Sequence, residues 1–273
     1  MHERPSKTAP DAFRRLLDIV ATLRSEDGCP WDREQTHESL RADTLEEAYE
    51  VVEAIEDGEP TKVAEELGDQ LIVSALHAQI ATEAGDFSMM DILNATNEKL
   101  VRRHPHVYGD ADGSDTDTVL ARWEAIKRQE PGYEERTSAV DGVPRGMPSL
   151  VAAWKLQKKA SRVGFDWDEV EQVVDKVREE LAELQEHIAE PTSNEQTAAM
   201  EDELGDLLFA VVNLARFIGV DPDAAMRSTN RKFVRRFHRM EELLAEAGEE
   251  MDGKTLEYLD GLWDRAKDEE RSV

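Results

Sequence analysis

A chain of 273 residues can bury a core without metal or disulfide staples, and it has room for one large domain or two of ordinary size. Lys and Arg number 33 against 61 Asp and Glu, a net charge of −28 that repels nucleic acid, anionic membranes and free nucleotides, so any polyanionic ligand needs local cations. The single cysteine, Cys29, excludes an internal disulfide framework, the N-terminal segment has no apolar signal region, and no apolar run approaches the ~18 residues of a membrane span, so a cytoplasmic location is expected. The same acidity suits a protein working in high salt, where self-repulsion is screened.

Apolar residues recur at three- and four-residue spacing over Leu45–Ile55, Val63–Ala81, Val170–Ile188 and Met200–Ile218, and no segment alternates like a strand. An all-α fold is predicted. Between these groups, Glu130–Leu150 collects three prolines and three glycines without a helical period and is the linker candidate. The expected division is a helical repeat over 1–135, a linker over 136–148 and a second helical repeat over 149–273.

The two groups repeat one another. "LEEAYEVVEAI" (Leu45–Ile55) matches "REELAELQEHI" (Arg178–Ile188) at an offset of 133, and "ELGD" at Glu66–Asp69 matches Glu203–Asp206 at 137. "NEKLVRR" (Asn97–Arg103) matches "NRKFVRR" (Asn230–Arg236) at 133, and Trp123-x-x-x-Lys127 matches Trp263-x-x-x-Lys267 at 140. Four blocks in one order mark a tandem duplication.

Each repeat carries two acidic pairs at i, i+3 spacing: Glu47/Glu50 with Glu66/Asp69, and Glu180/Glu183 with Glu203/Asp206. On a helix that spacing puts both carboxylates on one face, roughly 5–6 Å apart at Cβ. Glu203 and Asp206 continue the stripe of Leu207, Ala210 and Leu214, and so turn inward. Like charges held there are unfavourable unless something positive lies between them. A single E-x-x-E is ordinarily a solvated helix face, but recurrence of the whole set favours a hard divalent cation, Mg²⁺ or Mn²⁺, on oxygen ligands. A di-iron bundle would want Glu-x-x-His, whereas His187 stands at i+4 from Glu183.

Gly68 and Gly205 interrupt these helices at a cost of about 1 kcal/mol relative to alanine, and close approach of a neighbouring helix would explain them. The basic runs Lys99, Arg102, Arg103 and Lys232, Arg235, Arg236 read either as phosphate binders or as helix ends paired with surface glutamates. Asn97 and Asn230 read as helix N-caps or ligand contacts, Trp263 as a base-stacking or a core residue, and His104–His106 as structural. No G-x-x-x-x-G-K-[ST] or G-x-G-x-x-G occurs, so phosphate must be held by metal and side chains, as in phosphoryl or nucleotidyl chemistry.

These residues resemble the all-α nucleoside triphosphate pyrophosphohydrolases, in their two-repeat MazG type. Besides EExxE followed by ExxD, the resemblance rests on "GCPWDREQTHESL" (Gly28–Leu40), "KLVRRHPHVYGD" (Lys99–Asp110), "VDGVP" (Val140–Pro144), "RVGFDW" (Arg162–Trp167) and "NLARFIGVDP" (Asn213–Pro222), and it covers nearly the whole chain. It implies a homodimer of helical bundles that cleaves NTPs and dNTPs between the α and β phosphates, with Mg²⁺ activating water; the net charge of −28 speaks against nucleic acid or membrane as a partner. It implies metal ligands at Glu180, Glu183, Glu203 and Asp206, nucleotide contacts at Lys176, Lys232, Arg236, Trp263 and Lys267, and a water-activating role for Glu179 or Glu180. The first repeat offers Glu47, Glu50, Glu66 and Asp69 for metal, with Lys99, Arg103, Trp123 and Lys127 alongside. Where the second repeat has Lys176, the first has Asp43, a position usually tyrosine in related sequences, so chemistry is expected in the second repeat and a structural or regulatory role in the first. The alternative for the whole chain is a non-catalytic helical module that binds nucleotide or a regulatory partner.

Overall fold

Prolines and short polar side chains set where the helices begin. The computed structural model describes residues 7–113, 115–127, 129–130, 137–188 and 194–271, and among them there are helices and no strand. The chain divides into two units, Met1–Tyr133 and Glu134–Val273. The junction between the expected first repeat and the linker falls within 131–136, outside the described residues, while residues 137–148 form turns that lead into the next helix.

The first unit contains α1 (Ala9–Leu23), α2 (Pro30–Glu34), α3 (Arg41–Asp57), α4 (Pro60–Ala84), α5 (Met89–Arg103), α6 (Pro105–Tyr108) and α7 (Thr116–Lys127). The second contains α8 (Ser149–Ser161), α9 (Val170–Ile188), α10 (Asn194–Phe217), α11 (Pro222–Glu246) and α12 (Leu256–Arg271). Gly58, at φ 74°, ends α3 in the left-handed conformation that glycine adopts at least cost, and Pro60 starts α4 where no intrahelical N–H is needed. Ser88 and Asp91 close a reciprocal capping box on α5, and Asp221 accepts the N–H groups of Asp223 and Ala224 at the start of α11. Asn97 and Asn230 therefore lie inside α5 and α11 and cap nothing; the caps stand nine residues upstream in both repeats.

Within the first unit α3 lies along α4, α1 and α5 also pack on α4, and α7 packs on α5. Within the second, α9 lies along α10, α8 touches both α10 and α11, and α12 packs on α11. The pairs α3/α4 and α9/α10 carry the acidic motifs, so duplication of sequence is duplication of one helix pair. Val20, Leu40, Ala75 and Leu76 are the buried centre of the first unit, with Leu16, Leu17, Ile80 and Met89 around them. Val173, Ala210, Val212, Met240, Leu243, Leu244 and Ala266 are buried in the second.

Leu76 is 4% exposed and Leu256 82%, so truncating them should have very different consequences. Leu76→Ala is expected to destabilise the first unit by about 2–5 kcal/mol and Leu256→Ala to change stability by less than about 0.5 kcal/mol, measured by denaturant unfolding. Equal unfolding midpoints would show that the first unit does not depend on this cluster.

Candidate metal and nucleotide site

Helix pairing brings the acidic motifs together in each unit. In the first, Glu47 from α3 meets Glu66 and Asp69 from α4, with ligand oxygens all within 4.8 Å of one another. Glu47 Oε2 is buried and has no hydrogen-bond partner among the described residues. Burial raises the Glu47 pKa from its ordinary value, and the charges of Glu50, Asp69 and Glu66 raise it further. Glu66 is raised in the same way, first by burial and then by Glu50, Glu65 and Asp69. Glu50 thus adds its field to the cluster although its own oxygens stand outside the group of three.

In the second unit Glu180 and Glu183 of α9 meet Glu203 of α10, again within 4.8 Å. Glu180 is only 5% exposed. Lys176 Nζ lies 2.6 Å from Glu180 Oε1 and 3.0 Å from Glu179 Oε1. The lysine is therefore an i, i+4 partner of Glu180, and the hydrogen bonds to Glu180 and then Glu179 raise its pKa. Burial raises the Glu183 carboxyl, as do Glu180 and Glu203, while Lys176 opposes them. Asp206 stands outside the three and lines the adjoining cavity instead. His187 Nε2 lies 3.9 Å from Glu203 Oε1, at the edge of the group.

An all-oxygen set with crowded charge and an unpartnered buried oxygen suits a hard divalent cation, so the acidic clusters can hold a metal. The close-approach explanation for the two glycines fails. A Cβ added at Gly68 or Gly205 would meet nothing within 4 Å, so among the described residues of the chain no neighbouring helix presses there. Gly205 lies instead in a shallow surface depression with Ala198, Ala199, Glu201, Asp202 and Asp206.

The basic runs are tied down. Arg102 Nη2 donates to Glu130 Oε1 at 2.8 Å, Arg103 Nε donates to the same oxygen at 2.9 Å, and Arg103 Nη2 reaches Oε2. Arg103 and then Arg102 hold the Glu130 carboxyl down to about 2. In the second unit Arg235 and Arg236 each donate to Glu270 at 2.7 Å. Trp123 lies under the Arg103 guanidinium at 5.1 Å and the Lys127 ammonium at 5.0 Å, and Trp263 packs on Phe233 at 5.2 Å with Arg236 at 5.7 Å. Lys267 pairs with Asp264 at 2.9 Å, while Lys99 and Lys232 are half-buried. Sequence reasoning missed Glu130 and Glu270, yet they share the offset of 140 that relates the two tryptophans. His104 donates through Nδ1 to the Leu100 carbonyl at 2.6 Å and ends α5, in keeping with a structural role.

A cavity of about 550 Å³ adjoins the second cluster, bounded by α8, the turn at 164–167, α9 and α10. Leu156, Ala160, Phe165, Trp167 and Phe209 supply its apolar wall, and Lys176, Glu180 and Asp206 its charged one. Arg216 Nη1 donates to Asp166 Oδ2 at 2.9 Å, Nη2 reaches Oδ1, and Nε and Nη2 donate to Asn213 Oδ1 at 3.0 and 2.8 Å. This fork pins the GFDW turn to α10. The motifs "RVGFDW" and "NLAR" carried no assigned role in the sequence; their pairing across the cavity supplies one.

Residues 35–108 and 168–240 each match the MazG nucleotide pyrophosphohydrolase domain. The chain is 44% identical over 261 residues to the nucleoside triphosphate pyrophosphohydrolase/pyrophosphatase MazG of Thermotoga maritima, covering 96% of this chain and 98% of that one. It is also 44% identical over 257 residues to the nucleoside triphosphate pyrophosphohydrolase of Escherichia coli K12, covering 94% and 97%. With the nucleoside triphosphate pyrophosphohydrolase of Mycobacterium tuberculosis it shares 39% over 163 residues, 58% of this chain and 49% of that protein. With the domain matched over both acidic helix pairs, and two relatives aligned almost end to end, the chain belongs to the MazG nucleotide pyrophosphohydrolase family.

Proposed function

We propose that this chain is a divalent-metal-dependent nucleoside triphosphate pyrophosphohydrolase, converting NTPs and dNTPs to monophosphate and pyrophosphate at the second carboxylate cluster. The observation that carries this reading is one residue: Glu180 belongs both to the carboxylate cluster and to the wall of a cavity large enough for a nucleoside. A cation set between carboxylates would hold the triphosphate, and the adjoining apolar wall would hold the base. Mg²⁺ suits the oxygen ligands and Mn²⁺ can substitute; either, when bound, offsets phosphate charge and makes water a better nucleophile.

The chain's own groups divide the remaining work. Glu180, Glu183 and Glu203, joined by Asp206 from the cavity wall, would hold the cation. Lys176 presents an ammonium to phosphate from within the same surface, positioned by Glu179 and Glu180. One of those two glutamates, Glu179 or Glu180, would orient or deprotonate the attacking water at the α-phosphorus, with Glu179 the more open of the pair. Lys232, Arg236, Trp263 and Lys267 form a second strip on α11 and α12, and its nucleotide-binding role requires Arg236 to loosen from Glu270. The first unit has the same kind of cluster, but Asp43 stands where Lys176 does, so the phosphate-facing lysine is missing and this unit serves as a structural or regulatory copy. Repeats spanning 1–135 and 149–273, a linker at 136–148, and work in the cytoplasm, where nucleoside triphosphates are made and used, belong to the same proposal. Among the described residues no helix is long and apolar enough to cross a membrane.

A homodimer is part of the proposal. Leu67 and Leu71 on α4, and Leu204, Leu208 and Val211 on α10, are exposed at spacings that put them on one side of each helix. A helix face of that kind is what a second copy would cover. Light scattering should give about twice the 30.8 kDa chain mass, and Leu208→Asp should lower it towards one chain. A wild-type monomer would contradict the dimer.

Incubation with mixed dNTPs and Mg²⁺ should yield monophosphate and pyrophosphate, whereas release of single phosphates, or binding without turnover, would sink the proposal. Glu203→Gln should lower kcat/KM on the order of 100-fold, and Glu66→Gln should leave it near wild type. Equal losses from the two variants would overturn the assignment of chemistry to the second unit.

A further inference from the structure

The cavity of the second unit holds a buried glutamine that the proposed chemistry does not use. Gln157 stands on α8, lines the cavity and is only 7% exposed. Its Nε2 donates to the Phe209 carbonyl of α10 at 2.8 Å. A carbonyl only accepts, so this bond fixes which way round the amide sits. The other end, Oε1, is buried and has no hydrogen-bond partner among the described residues. A residue that served only to tie α8 to α10 would have no need of a buried acceptor left over, and leaving one is costly.

The surroundings say what kind of donor would meet it. Around Gln157 the cavity wall is Leu156, Ala160 and Phe209, and Phe165 and Trp167 stand open at 82% and 43% exposure. Such surfaces suit a flat heterocycle and offer nothing to phosphate. Asn213 shares the cavity wall, and its Oδ1 is already taken by Arg216, which leaves its Nδ2 amino group as the end to offer. An acceptor from Gln157 and a donor from Asn213 complement an edge that offers N–H beside an acceptor. The hydrogen-bonding edge of a nucleobase has that arrangement: amino beside ring nitrogen in adenine and cytosine, ring N–H beside carbonyl in guanine and uracil.

We propose that Gln157 is a specificity-determining residue that reads the base, its Oε1 accepting an N–H from a nucleobase seated between α8, the GFDW turn and α10. The inference rests on the reading that the triphosphate lies at the neighbouring carboxylate cluster. Its consequence is a requirement on substrate: a nucleoside triphosphate whose base edge carries a hydrogen-bond donor is preferred over one of the same shape that carries none.

Two substrate pairs isolate that donor: ATP against purine riboside triphosphate, and CTP against pyrimidin-2-one riboside triphosphate. Each analogue lacks the amino group and adds no bulk. Wild-type protein should show a KM about tenfold higher for the analogue in at least one pair, with kcat little changed, and Gln157→Leu should bring that ratio close to one. Equal KM within both pairs for wild type, or a ratio kept by folded Gln157→Leu, would overturn the inference. The wild-type comparison decides by itself if the variant does not fold. Absence of pyrophosphate from every substrate would instead be a failure of the functional reading. In that case calorimetric binding of AMP against purine riboside monophosphate, and of CMP against pyrimidin-2-one riboside monophosphate, tests Gln157 independently: tighter AMP or CMP binding supports it, and equal binding within both pairs refutes it.

Discussion

Three carboxylates whose oxygens lie within 4.8 Å of one another repel strongly wherever water is scarce, and each unit of this protein is built around such a group. The repulsion is held in place by packing. α3 along α4 and α9 along α10 bury enough apolar surface on one side to keep the acids facing one another on the other. Taking up protons or binding a cation lowers that electrostatic cost, and the second unit supplies part of the positive charge from within the chain. Lys176 reaches Glu180 at 2.6 Å. In the first unit that position is Asp43, so no lysine stands there, and Glu47 Oε2 has no hydrogen-bond partner among the described residues.

Duplication has kept some interactions and altered others. Two adjacent arginines, on α5 in the first unit and on α11 in the second, grip one glutamate near the end of that unit, with a tryptophan beneath: Arg102, Arg103, Glu130 and Trp123 in one, Arg235, Arg236, Glu270 and Trp263 in the other. That clamp is architectural, because it joins α5 to the segment after α7 and α11 to α12 whatever the acids do. Around the carboxylates the copies part. The second gathers Glu183 and leaves Asp206 to the cavity, and the first gathers Asp69 and leaves Glu50 outside. The divergence is at the site and the conservation is in the frame.

The sequence was most legible where one periodicity dominated. Helical spacing located α3, α4, α9 and α10 and the facing acids on them, because i, i+3 spacing on an amphipathic helix leaves little choice of face. It was least legible where partners are distant in the chain. Asn97 and Asn230 looked like caps beside the basic runs, but Ser88 and Asp221 had already started those helices. Glu130 and Glu270 were hidden because an ion pair between helices has no local spacing. Gln157 gave no signal at all: a glutamine in an amphipathic helix is unremarkable until its partner, Phe209 O, is found 52 residues away. Gly68 and Gly205 remain without a packing reason within their own units.

The central claim is that these clusters are charge traps for a divalent cation. Glu47, Glu66 and Glu183 have raised pKa values, chiefly through burial and the neighbouring carboxylates. In metal-free protein their stabilising contribution is therefore present while they are protonated, below the ordinary carboxylate range, and is lost as pH rises through the raised values. A cation compensates only the ionised form. Thermal unfolding with and without Mg²⁺ at pH 5 and pH 8 should accordingly show a small rise in Tm at the lower pH and a larger one at the higher, with the difference reduced in Glu203→Gln and again when Glu66→Gln is added. A Mg²⁺-dependent rise that is the same at both pH values, or that survives both substitutions, would contradict the account.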